Sequence, residues 1–158
     1  NDARWTGWHP RLPLPEEGGY RRLLGQLGAW LCSLMGMEAV WFRPNSGAQG
    51  EWYALRAMRS VLPPNRSKCL VPRSAHGTNA ASAKAAGMEV IAVPVDGQGR
   101  IEQTALLALL AEHGPELACL MLTHPSTSGI FEHGLFPRVV EAVHAQGGYV
   151  YLDGANLN

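Results

Sequence analysis

Lysine is scarce in this chain of 158 residues: only Lys68 and Lys84 occur, and arginine supplies the rest of thirteen cationic side chains. Thirteen Asp and Glu balance them, so no global field of either sign points to nucleic acid or to an acidic membrane surface. Cysteine is limited to Cys32, Cys69 and Cys119, widely spaced and without a Cys-x-x-Cys pair. That spacing lacks a metal-ligand pattern and reads as buried, reduced thiols in an intracellular protein. No apolar run approaches the roughly 20 residues of a membrane span, and the N-terminal stretch has no signal-peptide core. A soluble protein without membrane association is therefore expected. No two of the six histidines have the spacing of a zinc site on a helix, so no metal is expected either.

What is present is enough apolar residue, 46% against 16% charged, for one ordinary globular core. The chain begins with Asn rather than Met and stops at Asn158, just after a strand-like run, so it reads as a piece of a longer polypeptide. Residues 1–18, with Trp5, Trp8, Pro10, Pro13 and Pro15, are expected to form an extended N-terminal arm. Residues 19–158 are expected to form one partial domain.

Tyr20, Leu23, Leu24, Leu27, Trp30, Leu31 and Leu34 recur at helical spacing, and Gly36 is a natural stop, which predicts a helix over 19–35. Beyond it, short β-prone runs at 39–42, 69–72, 90–93, 119–123 and 149–153 alternate with helix-like stretches at 49–61, 79–86, 104–112 and 135–145. Nearly all-apolar strands alternating with helices predict an α/β fold of three layers, with a mostly parallel sheet covered on both faces. Asp96-Gly97-Gln98-Gly99 reads as a turn. There is no internal repeat and no low-complexity tract.

In such sheets ligands collect where strands end and loops lead into helices, and the polar clusters fall there. Ser46-Gly47-Ala48 has two readings: a phosphate cup built from free helix-start amides, or a plain N-cap. It is neither a Walker loop nor a G-x-G-x-x-G fingerprint. His76, between small residues, suits stacking on a flat ring or moving a proton, or else is a turn histidine bonded to backbone. Asp153 ends an apolar strand, so its carboxylate needs a cationic or hydrogen-bonding partner, or it caps the loop that follows. Thr123, Ser126 and Thr127 read either as ligand contacts or as turn residues around Pro125.

Taken together, 44–51 (Pro-Asn-Ser-Gly-Ala-Gln-Gly-Glu), 74–79 (Ser-Ala-His-Gly-Thr-Asn), 85–88 (Ala-Ala-Gly-Met), 125–132 (Pro-Ser-Thr-Ser-Gly-Ile-Phe-Glu), 144–148 (His-Ala-Gln-Gly-Gly) and 153–158 (Asp-Gly-Ala-Asn-Leu-Asn) resemble, in order, segments of one family. That family is the P-protein of the glycine cleavage system, a glycine dehydrogenase (decarboxylating), here of the C-terminal-half or second-subunit type. The resemblance runs from about His9 to the end.

It implies a pyridoxal-phosphate enzyme of the fold type I, aspartate aminotransferase-like superfamily, with this chain as part of the large domain. Carried over by position, it puts Ser46, Gly47 and Ala48 on the cofactor phosphate and His76 on one face of the pyridine ring. Asp153 pairs with the ring nitrogen, and Ala155 lies against the other face. His76 and Asp153 are then the catalytic candidates. The implied reaction decarboxylates glycine and passes its aminomethyl group to the lipoyl arm of the H-protein. The implied assembly is a homodimer or heterotetramer, in a bacterial cytoplasm or a mitochondrial matrix.

The chain also departs from the family. The Schiff-base lysine of such enzymes lies beyond the Asp-Gly-Ala-Asn segment, and Lys68 and Lys84 do not match its position, so this stretch alone is expected to be inactive. Ala80 replaces the usual Pro, with an expected cost in loop rigidity only, and Trp52-Tyr53 replace smaller residues, the Trp with an expected effect on packing under the cofactor. Two other readings stay open: a different fold type I decarboxylase or lyase, and a non-catalytic module of that fold.

Overall fold

In the computed structural model the described residues are 18–157; the arm expected over 1–18 lies outside them but for Gly18. The chain divides into two compact units at Asn45/Ser46, so the domain expected over 19–158 spans both.

In the first unit, helix α1 runs over Gly19–Met35, the span its apolar spacing predicts. Gly36 ends it in the left-handed region, at φ +64°, where its N–H and that of Met37 reach back to the Cys32 carbonyl. A side chain is strained in that conformation, so the stop signal in the sequence has a direct steric basis. The strand expected over 39–42 does not form. Its residues instead lie across α1 at Gly28, where an added Cβ would stand 3.0 Å from Val40 Cγ1 and 3.6 Å from Phe42. Propensity for β structure was satisfied there by packing on a helix rather than by a ladder.

The second unit is the α/β body: α2 (Gly47–Val61), β1 (Lys68–Pro72), α3 (Gly77–Ala85), β2 (Glu89–Val93), α4 (Gln103–His113), β3 (Leu117–Thr123), α5 (Phe136–Ala145) and β4 (Tyr149–Asp153). A 3-10 turn, Gly114–Glu116, leads into β3, and another, Ala155–Leu157, follows β4. The four strands pair in the order β2-β1-β3-β4, all parallel. Cys69 stands opposite Cys119, and Cys119 opposite Tyr149; the register slips once, at Lys68/Cys69.

Alternation along the strands builds two cores. Cys69, Val71, Cys119 and Met121 pack with Leu55, Ala83 and Met88 under α2 and α3. Leu70, Leu120 and Leu122 pack with Leu106, Leu110, Val139 and Val143 under α4 and α5. Both faces of β1 and β3 are thus sealed, which explains why their sequences are uninterrupted apolar runs. The edge strands β2 and β4 are only partly buried. The turn predicted at 96–99 is present: Asp96 Oδ1 accepts from Gln98 N (2.8 Å) and Arg100 N (2.9 Å), and a bridge joins Val95 to Ile101.

Candidate functional site at the carboxyl ends of the strands

All parallel strands present their carboxyl ends on one edge, and the predicted polar loops gather there. Ser46 caps α2 with extended backbone (φ −155°, ψ 162°), and its Oγ accepts from Gln49 N at 3.1 Å. The amides of Gly47 and Ala48 occupy the first turn, where no intrahelical acceptor exists. Both residues are exposed, and nothing lies within 4 Å of where a Gly47 Cβ would be, so the main chain there is open to a ligand.

His76, following β1, caps α3: its Nδ1 accepts from Thr78 N at 3.1 Å. An accepting Nδ1 puts the proton of the neutral ring on Nε2. The ring is exposed and its face uncovered by its own cap. The backbone-bonded role weighed for His76 is therefore real, and it fixes the tautomer without consuming the ring face.

Asp153, the last residue of β4, is half-buried. Its Oδ1 accepts from Ala155 N at 3.0 Å and its Oδ2 from Asn79 Nδ2 at 3.3 Å. The same Nδ2 donates to Glu51 Oε2 at 2.6 Å. Asn79 is a third-position residue of α3, and Glu51 lies one turn into α2, so this pair joins α2, α3 and β4 in one network. Burial pushes the Glu51 carboxyl above its ordinary range; hydrogen bonds from Ser82 and Asn79 oppose that, and the Asp153 charge adds to it. Tyr151, two residues before Asp153, is pushed up to about 12 by burial, then by the charges of Glu51 and Asp153.

The loops are also tied to one another. Thr127 Oγ1 donates to Ser74 O at 2.6 Å, linking the loop after β3 to the loop after β1. Asn156 Nδ2 donates to Pro125 O (3.0 Å) and Ser126 O (3.3 Å), linking the end of β4 to the end of β3. Ser126 closes its own turn, accepting from Ile130 N and Gly129 N. For Ser126 and Thr127 the loop-building reading describes what these atoms do. Trp52 packs partly buried against the core beneath α2 and meets Tyr53 edge-on at 5.1 Å.

The sequence pattern predicts a start of α3 at Asn79; the cap is three residues earlier, and Asn79 is turned inward, 1% exposed. Nor does the pattern single out Glu51, which is 3% exposed. A carboxylate on the apolar side of an otherwise small-residue helix start was the available signal. Neither lysine stands at this edge: Lys68 opens β1 at its amino end, bonded to Glu116 at 2.7 Å, and Lys84 is in the last turn of α3.

No protein-family model matches the chain. Among curated proteins, it is 50% identical over 158 residues to glycine dehydrogenase (decarboxylating) of Parasynechococcus marenigrum (strain WH8102), covering 98% of this chain and 16% of that protein. It is 45% identical over 161 residues to glycine dehydrogenase (decarboxylating) 2 of Pseudomonas putida, covering 98% of this chain and 17% of the relative. Among solved structures, glycine decarboxylase (P-protein) of the glycine cleavage system, in inhibitor-bound form, superposes with a TM-score of 0.70 at 19% identity, over 94% of this chain and 32% of that one. Histidinol-phosphate aminotransferase from Clostridium acetobutylicum superposes with a TM-score of 0.52 at 14% identity, over 66% of this chain and 29% of that one. The fold is that of the large domain of fold type I enzymes. Spanning 16–17% of the length of these curated relatives while aligning along nearly all of its own, the chain is homologous to one segment of glycine dehydrogenase (decarboxylating).

Proposed function

We propose that this segment supplies the phosphate cup and ring-binding edge of a pyridoxal-phosphate-dependent glycine decarboxylase that hands the aminomethyl group to the lipoyl arm of the H-protein. The observation that carries the reading is the convergence of α2, α3 and β4 through Glu51, Asn79 and Asp153 beside two capped helix starts. The residues fit the cofactor. Gly47 and Ala48 offer amides to a phosphate at the positive end of α2, and Ser46 adds a hydroxyl. Each oxygen of Asp153 accepts one hydrogen bond from the protein, and an oxygen has capacity for a second, from a ring N–H.

When bound, pyridoxal phosphate supplies an electron sink for the pair left behind as carbon dioxide departs. This chain's part is electrostatic and positional. Asp153 holds a proton on the ring nitrogen, which keeps that sink strong. His76 covers one ring face with an imidazole whose Nδ1 is engaged, and Ala155 leaves room on the other. The covalent amine is supplied by a lysine other than Lys68 and Lys84, both of which stand away from this edge.

The test is made with the full polypeptide. Pyridoxal phosphate is expected to bind saturably, Ser46→Asp to abolish binding by placing an anion in the cup, and Asp153→Asn to retain binding while slowing exchange of labelled bicarbonate into glycine by about 10²-fold, the scale of one lost preorganised partner. A full polypeptide that shows no saturable binding, or an Asp153→Asn variant with undiminished exchange, overturns the reading.

A further inference from the structure

We propose that Asn79 is a positioning residue, clamped by Glu51, that sets the plane of the Asp153 carboxylate and so the direction in which it meets a ring nitrogen. This rests on the cofactor reading above for its purpose, though the clamp itself is visible in the protein alone.

A carboxylate at a strand end turns freely, because rotation about its terminal bond is broad and roughly two-fold. One donor leaves it free to swing; one donor on each oxygen fixes its plane. Asp153 has that arrangement, with Ala155 N on Oδ1 and Asn79 Nδ2 on Oδ2. The first donor is local, two residues on. The second comes from 74 residues away in sequence, from an amide whose own position is set by the shorter, 2.6 Å bond to Glu51 Oε2 on a third element. Asn79 Oδ1 is buried without a hydrogen-bond partner, so all of the side chain's polar contacts are made through its NH2 group. Only that orientation of the amide serves, since a flipped Oδ1 would face two acceptors.

The residue types follow from the geometry. Aspartate at 79 would crowd three carboxylates together; leucine would remove the donor that Glu51 Oε2 and Asp153 Oδ2 share. Glu51 needs to present an acceptor, not a charge, to hold Asn79. It is therefore replaceable by glutamine but not by alanine.

The experiment uses the full polypeptide with glycine as substrate. Asn79→Ala and Glu51→Ala are expected to lower kcat by up to about 10²-fold, the cost of mis-aiming a reacting partner by an ångström, while KM for glycine moves little. Glu51→Gln is expected to restore a rate close to wild type, an outcome that simple loss of packing does not predict. Asn79→Ala added to Asp153→Asn is expected to cost nothing further, because both act through one carboxylate. A crystal structure of the cofactor-free Asn79→Ala variant is expected to show Asp153 rotated about its terminal bond. Independent, multiplying losses, or Glu51→Gln as damaging as Glu51→Ala, or an unmoved Asp153 in that crystal, overturns the clamp. Failure of the cofactor reading looks different: the wild type fails to bind pyridoxal phosphate, while the crystallographic arm still reports on the clamp.

Discussion

Replacing Glu51 with glutamine should change how the stability of this protein depends on pH. Glu51 is 3% exposed, and burial raises its carboxyl above the ordinary carboxylate range. Because the folded state holds a proton that the unfolded chain has already released, stability is complete below the unfolded midpoint and declines as pH rises towards the raised folded one. A single such proton contributes a slope of at most about 1.4 kcal/mol per pH unit within that window. Glutamine removes this titration while keeping an acceptor for Asn79. Urea denaturation of wild type and Glu51→Gln at intervals from pH 4 to 8 reads it, since carboxylates other than the neighbouring Asp153 cancel in the difference. The wild type should hold its best relative stability at the acid end and lose ground to the variant towards neutrality. Parallel curves, or a wild type that gains on the variant as pH rises, would refute the reasoning.

Two further outcomes follow from the packing. Leu120, fully buried in central strand β3, should cost about 2–5 kcal/mol when cut to alanine, read as a lower urea midpoint; a loss under about 1 kcal/mol would contradict its place in the core. Gly36→Ala should destabilise α1 by about 1–2 kcal/mol, because φ +64° is left-handed, and thermal unfolding followed by helix signal would show it.

The legible parts of the sequence were those with short-range causes. Helix α1 was predicted to the residue because seven apolar side chains at one spacing end at a glycine that only a left-handed stop explains. Strands β1 and β3 are legible because a strand sealed on both faces has few polar positions to obscure it. Residues 39–42 were misread for the complementary reason: a short apolar run is equally suited to a ladder and to a groove on a helix, and Gly28 provided the groove. The sequence pattern starts α3 at Asn79 because Asn is a preferred cap type and His is not, yet His76, three residues earlier, caps it through Nδ1. Which one capped, and which turned inward, depended on Glu51, 28 residues earlier.

Composition, spacing and punctuation by themselves determined that this is an α/β chain with polar loops on one sheet edge, and singled out Ser46, His76 and Asp153 as candidates on it. Those properties are local, set by steric limits on the backbone and by which side chains water excludes. Only the tertiary structure decided that Asp153 is held by two donors, that His76 spends Nδ1 on a cap, and that Glu51 and Asn79 belong to the site. Hydrogen bonds between residues 28 and 74 positions apart leave no periodic mark in a sequence, because their geometry comes into being only when α2, α3 and β4 are packed together.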